Sequence, residues 1–206
     1  MISMIRVGFV DDENVNFADY AKRLERRDIC LVFYEGDSTS DEIVKWIIAE
    51  NLECLLIDYD LRKKFSKNGT DFVFEINQVL PEFPCIMLTN YPEQSKGEKL
   101  VSHRLIWDRQ KMSLPDLSEV VDSICNEVSV FQKRKETLYQ QYEALVEKRQ
   151  NSTLSAVEEE RFLQLYSLFS RYGETDDLPT QLLSSDTNKR LDNLILRMSQ
   201  LLEKKD

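Results

Sequence analysis

Short, continuously apolar runs alternate along the first half of the chain with segments whose apolar residues recur every three or four positions. Val7-Gly8-Phe9-Val10 lies in an expected strand over 5–10, and Val15, Ala18, Ala21 and Leu24 then follow at helical spacing over 14–27. A second strand is expected at about 30–35. Ser38 to Asp41 offers helix caps, after which Ile43, Val44, Ile47 and Ile48 recur toward Asn51. A third strand covers 53–58, and a basic, polar loop over 60–68 ends at Gly69. Phe72, Val73 and Ile76 continue as a helix to about Leu80. Pro81 and Pro84 bracket the turn into a fourth strand, Cys85–Thr89, and a weak helix near 93–102 precedes a fifth strand at about 104–107. Strands alternating with helices at this spacing imply βαβ units, so the pattern predicts an α/β fold with a doubly wound, five-stranded parallel sheet. Strands covered on both faces are continuously apolar, as these are, and right-handed crossovers leave few topologies.

From about residue 116 the pattern changes. Leu117, Val121, Ile124, Val128, Phe131, Leu138, Tyr142 and Leu145 follow a 4-3-4-3 spacing, with Lys135 as a polar interruption, which is close to a heptad seam. The first half of this coiled-coil-like helix must also pack on the sheet, whereas the second half needs another helix to cover its stripe. Gln150 to Thr153 makes a polar break, and Ser155 followed by Glu158 is a capping-box pattern. Helices are therefore expected at about 116–149, 155–172 and 186–203, the last carrying Leu191, Leu194, Ile195, Met198, Leu201 and Leu202. The division expected is 1–128 for the α/β domain and 129–206 for a helical region that serves in output or oligomerisation, with a homodimer as the expected assembly.

Charge narrows the range of partners. The net charge is −10, and residues 1–129 hold 24 acidic against 15 basic side chains, while 130–206 hold 13 against 12. Neither part has the basic stripe of a nucleic-acid binder, so a protein partner for the C-terminal helices is expected and a DNA reader is not. Apolar runs fall far short of the roughly 18 residues that span a bilayer, and no leader pattern opens the chain, so a cytoplasmic location without membrane attachment is expected. Cys30, Cys54, Cys85 and Cys125 form no CxxC pair and read as reduced thiols. His103, the single histidine, has no partners for a zinc site.

The chemistry lies where apolar strands run into carboxylates. Asp11-Asp12 closes the first strand and Asp58 the third. An unpaired buried charge costs several kcal/mol, so such ends belong at the rim of a parallel sheet, with a cation among them. Converging carboxylates make a hard oxygen site suited to Mg2+, which binds phosphate oxygens. One carboxylate can then act as nucleophile toward a phosphoryl donor. Thr89 supplies a hydroxyl at the fourth strand's end, and Lys111 is the leading candidate for an amine that meets the phosphoryl oxygens. Arg109 takes that place if the fifth strand ends at Trp107. Read alone, Asp11-Asp12 would be a helix N-cap and Thr89 a turn residue.

An acidic pair after the first strand, Asp after the third, Thr after the fourth and Lys after the fifth together resemble the receiver domain of two-component response regulators. The spacings agree with that family: 47 residues from Asp11 to Asp58, 31 from Asp58 to Thr89 and 22 from Thr89 to Lys111. Gly69-Thr70-Asp71-Phe72 also matches the helix start after the phosphoacceptor loop. The resemblance covers about residues 4–128 and implies a flavodoxin-like sheet. By it Asp58 is the phosphoacceptor, Asp11, Asp12 and Asp58 bind Mg2+, Asp60 adds a backbone carbonyl ligand, and Thr89 and Lys111 complete the catalytic set. It further implies a sensor histidine kinase or another phosphodonor as partner. The chain departs from the family in four places. The loop after Asp58 is long and carries Arg62, Lys63, Lys64 and Lys67, Asn90 stands where a small residue is usual, Met112 follows Lys111 where proline is usual, and Asp108 holds the aromatic switch position. These departures also suit a degenerate receiver that works as an interaction module or phosphate sink. Asp58-Tyr59-Asp60 contains the DxD of haloacid-dehalogenase-like phosphatases, but Arg62 stands where that family has Thr or Val, and the motif lies on the third strand instead of the first.

Overall fold

The computed structural model describes residues 4–36, 39–61 and 64–175. The chain divides into two compact units, Met1–Arg134 and Lys135–Asp206. In the first unit, β1 (Ile5–Val10), β2 (Ile29–Phe33), β3 (Cys54–Ile57), β4 (Cys85–Thr89) and β5 (Ile106–Asp108) form one sheet in the order β2-β1-β3-β4-β5, with every pairing parallel. Between them run α1 (Phe17–Glu25), α2 (Ser40–Ala49), α3 (Gly69–Val79) and α4 (Pro92–Gly97), and α5 (Ser118–Asn151) follows β5. The order 2-1-3-4-5 reverses direction between β1 and β3, and the crevice at the carboxyl ends of those two strands is where open α/β sheets place ligands.

Alternation along the strands assigns the two faces. Val7, Phe9, Cys54, Leu56, Ile86 and Leu88 share a buried cluster with Tyr20 and Leu24 of α1 and with Val120, Ile124 and Val128 of α5. The opposite face carries Leu55 and Ile57, covered by the buried Ile43, Val44 and Ile47 of α2 and Phe72, Val73 and Ile76 of α3. Gly8 belongs to this second face, because a Cβ there would lie 2.5 Å from Leu55 and 2.7 Å from the Trp46 ring. Full burial of a residue such as Ile124 stabilises the fold by about 1.5–3 kcal/mol, and its exposure is 0%.

Local chemistry sets the helix ends. Thr39 caps α2 by accepting from the Glu42 amide at 3.3 Å. Asn68 caps α3 by accepting from Asp71 N at 3.0 Å. After α2, Asn51 takes a left-handed φ of 51°, which a short polar side chain accepts more readily than most. Helix α1 begins at Phe17, later than the sequence pattern suggests, and Val15 is left 78% exposed ahead of it. Here Asp11 Oδ1 accepts from Glu13 N at 3.0 Å, an Asx-type turn that delays the helix.

In the second unit the later part of α5 meets α6 (Ala156–Arg171). Tyr142 stacks on Phe162 with centroids 5.6 Å apart, and Tyr139 meets Phe169 edge-on at 5.3 Å. This aromatic packing partners the stripe that the spacing of Leu138 and Tyr142 predicts. Ser155 forms the complete capping box with Glu158: Ser155 N donates to Glu158 Oε2 at 2.9 Å, and Ser155 Oγ accepts from Glu158 N at 3.4 Å. The expected helix over 186–203, together with Ser38, Arg62 and Lys63, lies outside the described residues.

Two outcomes follow from this packing. A Cβ at position 69 would sit 1.9 Å from the carbonyl oxygen of Asp58. Because that atom is backbone and cannot swing aside, Gly69→Ala should lose about 1–3 kcal/mol of stability, read as a lower urea midpoint. Ser155→Ala should cost about 1 kcal/mol while Ser155→Thr stays near wild type, measured by thermal melting.

Candidate functional site

The register Val10↔Ile57 pairs the last residues of β1 and β3, so the next residues, Asp11 and Asp58, leave the sheet side by side. The amide of Asp58 donates to Val10 O at 2.9 Å, which fixes that level. Asp11, Asp12 and Asp58 each present a carboxylate oxygen within 4.8 Å of the others. Asp11 and Asp58 are 2% and 7% exposed, so their charges are held away from water.

One guanidinium offsets that charge. Arg109 is the first residue after β5, which ends at Asp108, one residue beyond the sequence expectation. Its Nη2 donates to Asp11 Oδ2 at 2.8 Å and lies 3.1 Å from Asp58 Oδ1. The second contact is an ion pair only, since Asp58 Oδ1 makes no hydrogen bond. Arg109 opens a 3-10 turn, Arg109–Ser113, whose buried Met112 anchors it in the core cluster. Arg23 of α1 donates to the carbonyls of Met112 and Leu114 and ties this turn to the sheet's α1 face.

The other expected residues occupy distinct places. Thr89 ends β4, is fully buried, and its Oγ1 accepts from Tyr91 N at 3.0 Å. Lys111 sits two residues into the 3-10 turn, where its Nζ meets Glu119 Oε1 at 2.8 Å and lies 4.1 Å from the centre of the Trp107 ring. Among the described residues the cation beside Asp58 is thus Arg109, while Lys111 is engaged by β5 and α5 side chains. The Asp60 carboxylate stands outside the three-acid group. Lys64, from the basic loop, lines a cleft of about 520 Å³ together with Asp12, Glu13, Asn14, Val15 and Phe33.

The donor set fits a magnesium ion. Three carboxylates at one rim offer hard oxygens, and the buried Asp58 Oδ1, which has no hydrogen bond of its own, is an acceptor that a cation would satisfy. Burial raises the Asp58 carboxyl from the ordinary 3.8 to about 6, and neighbouring Asp11 and Asp12 push the same way. Arg109 and the Tyr59 amide oppose this, but desolvation outweighs them.

No family model matches the chain, and no curated protein matches it by sequence. Several solved structures align with it at low identity. An anti-anti-sigma factor PhyR from Bartonella quintana aligns at 20% identity over 66% of this chain with a TM-score of 0.48, and the chain spans only 51% of that protein. A response regulator receiver domain protein from Clostridium thermocellum aligns at 18% identity over 62% of this chain and 97% of its own, with a TM-score of 0.47. The signal receiver domain of an HD domain-containing protein from Pseudomonas fluorescens Pf-5 aligns at 15% identity over 65% and 96% of the two chains, with a TM-score of 0.49.

The raised Asp58 value makes a prediction. A carboxyl that holds its proton more tightly when folded takes stability away as pH rises through the interval between its unfolded and folded values. In metal-free protein, about 3 kcal/mol should be lost from pH ~4 to ~6, seen as a falling urea midpoint. Asp58→Asn should abolish that fall. Strand order 2-1-3-4-5, all parallel, with the acids of β1 and β3 meeting at the carboxyl rim, gives the first unit of this chain a flavodoxin-like, doubly wound fold.

Proposed function

We propose that the chain is a phosphorylation-dependent signalling switch in which Asp58 accepts a phosphoryl group. The observation that carries this reading is the meeting of Asp11, Asp12 and Asp58 at the sheet's switch point, with the Arg109 guanidinium against Asp11 and Asp58. Asp11, Asp12 and Asp58 would hold Mg2+, with the Asp60 carbonyl as a further ligand, and the ion when bound would neutralise charge on the incoming phosphoryl group. A carboxylate oxygen of Asp58 attacks phosphorus, the bond from phosphorus to the donor's leaving group breaks, and the leaving group keeps the electron pair. Arg109 already faces Asp58, so it meets the new phosphoryl oxygens as a fixed, permanently charged donor. Its planar fork can place two N–H groups on one oxyanion, which an ammonium cannot do in the same fixed way. The Thr89 hydroxyl supplies a further donor from β4.

The phosphodonor in this reading is a sensor histidine kinase or a small acyl phosphate. Output passes through α5, which packs on the sheet with Val120, Ile124 and Val128, to protein contacts made by the C-terminal helices, with a homodimer as the proposed assembly. An acidic chain of net charge −10 suits a protein partner better than a nucleic acid.

Incubation with acetyl phosphate and Mg2+ followed by intact mass measurement tests the proposal. The wild type should gain one phosphoryl group and Asp58→Asn none. Arg109→Ala should be phosphorylated roughly a hundredfold more slowly, as for loss of one charge-stabilising donor, whereas Lys111→Ala should stay close to wild type. A folded wild type that gains no mass overturns the switch in favour of a phosphorylation-independent interaction module. Equal slowing by the two variants overturns the role given to Arg109.

A further inference from the structure

A polar junction outside the acid site joins two parts of the fold that the sequence leaves unrelated. Glu98 is the C-terminal cap residue of α4. Its Oε1 accepts from the Tyr59 hydroxyl at 2.6 Å and from Asn68 Nδ2 at 3.1 Å, and its Oε2 accepts from the Thr70 hydroxyl. Tyr59 directly follows Asp58, and Asn68 and Thr70 stand at the start of α3. One carboxylate therefore gathers both ends of the loop that leaves Asp58 and fastens them to α4.

The surrounding bonds make this junction rigid. Gly69 N donates to Tyr59 O at 2.8 Å, which closes the loop on itself. Asn68 Oδ1 accepts from Asp71 N at 3.0 Å and from Thr70 Oγ1 at 2.6 Å. Thr70 has one hydroxyl proton and two acceptors, Asn68 Oδ1 and Glu98 Oε2, so it donates to either without leaving the junction. Thr70 is fully buried, and hydrogen bonds to an ionised acceptor are shorter and stronger than neutral ones. Helix α4 has only six residues and its N-cap makes no side-chain hydrogen bond, so it has little of its own to hold it in place.

We infer that Glu98 is a positioning residue: it locks α4 to the loop that follows Asp58, so that the backbone beside Asp58 and the placement of α4 change together. The lock exists in the unmodified protein and does not depend on Asp58 being phosphorylated.

Hydrogen exchange of the full chain, followed by mass spectrometry without any phosphodonor, tests this. Glu98→Ala should accelerate exchange about tenfold in peptides covering both α4 and the first turn of α3, as expected for loss of charge-assisted hydrogen bonds. Glu98→Gln, which keeps a carbonyl acceptor for Tyr59 and Asn68, should restore most of the protection at both places. Tyr59→Phe keeps the ring and removes one donor, so it should loosen the same two regions to a smaller degree, and it serves if Glu98→Ala does not fold. Acceleration confined to α4 would make Glu98 a simple helix cap and overturn the inference. Wild-type exchange in both regions, in Glu98→Ala or in Tyr59→Phe, would overturn it as well. Because no phosphoryl transfer is measured, these outcomes are independent of whether Asp58 is a phosphoacceptor.

Discussion

The pairing of two buried carboxylates with one guanidinium is the interaction on which the rest depends. Asp11 and Asp58 are buried at adjacent strand ends, and their mutual repulsion at short range would be costly without a counter-charge. Arg109 supplies it with a single nitrogen, 2.8 Å from one acid and 3.1 Å from the other. The compensation is incomplete, since burial still lifts Asp58 well above an ordinary aspartate. A site left short of positive charge in this way suits a divalent cation.

Everything nearby serves to hold that arrangement. The parallel register brings Asp11 and Asp58 to the same level, the 3-10 turn delivers Arg109 from β5, and Arg23 holds the turn in place. Gly69 lets α3 begin against the Asp58 carbonyl, and its amide donates to Tyr59 O, so the start of α3 is held beside the end of β3.

Much of the fold was legible because its signals are local. Continuous apolar runs gave the five strands, the Ser155 and Glu158 pair gave the start of α6, and acids at strand ends gave the site's position. What stayed open was the choice between Arg109 and Lys111, two residues apart in a stretch whose strand ended one residue later than its apolar run suggested. Arg109 takes the place although β5 runs to Asp108, one residue past the Trp107 end on which that alternative rests. What separates the two side chains is tertiary contact: Arg109 meets Asp11 and Asp58, Lys111 meets Glu119 and Trp107. Glu98 was illegible for a related reason. A glutamate at the end of a weak helix carries no pattern, and its partners, Tyr59, Asn68 and Thr70, come together only through tertiary contact. Val15 looked apolar and helical, but the Asp11 turn consumed the residues ahead of α1.

Thr89 shows how one small group can be committed and available at once. Its oxygen already accepts the Tyr91 amide, which shapes the corner beyond β4. A hydroxyl oxygen that accepts in one direction retains its own O–H for another. The same atom can therefore keep the corner folded while turning its proton toward a newcomer, with no hydrogen bond broken beforehand. A valine of equal shape would forfeit both ends of that relay.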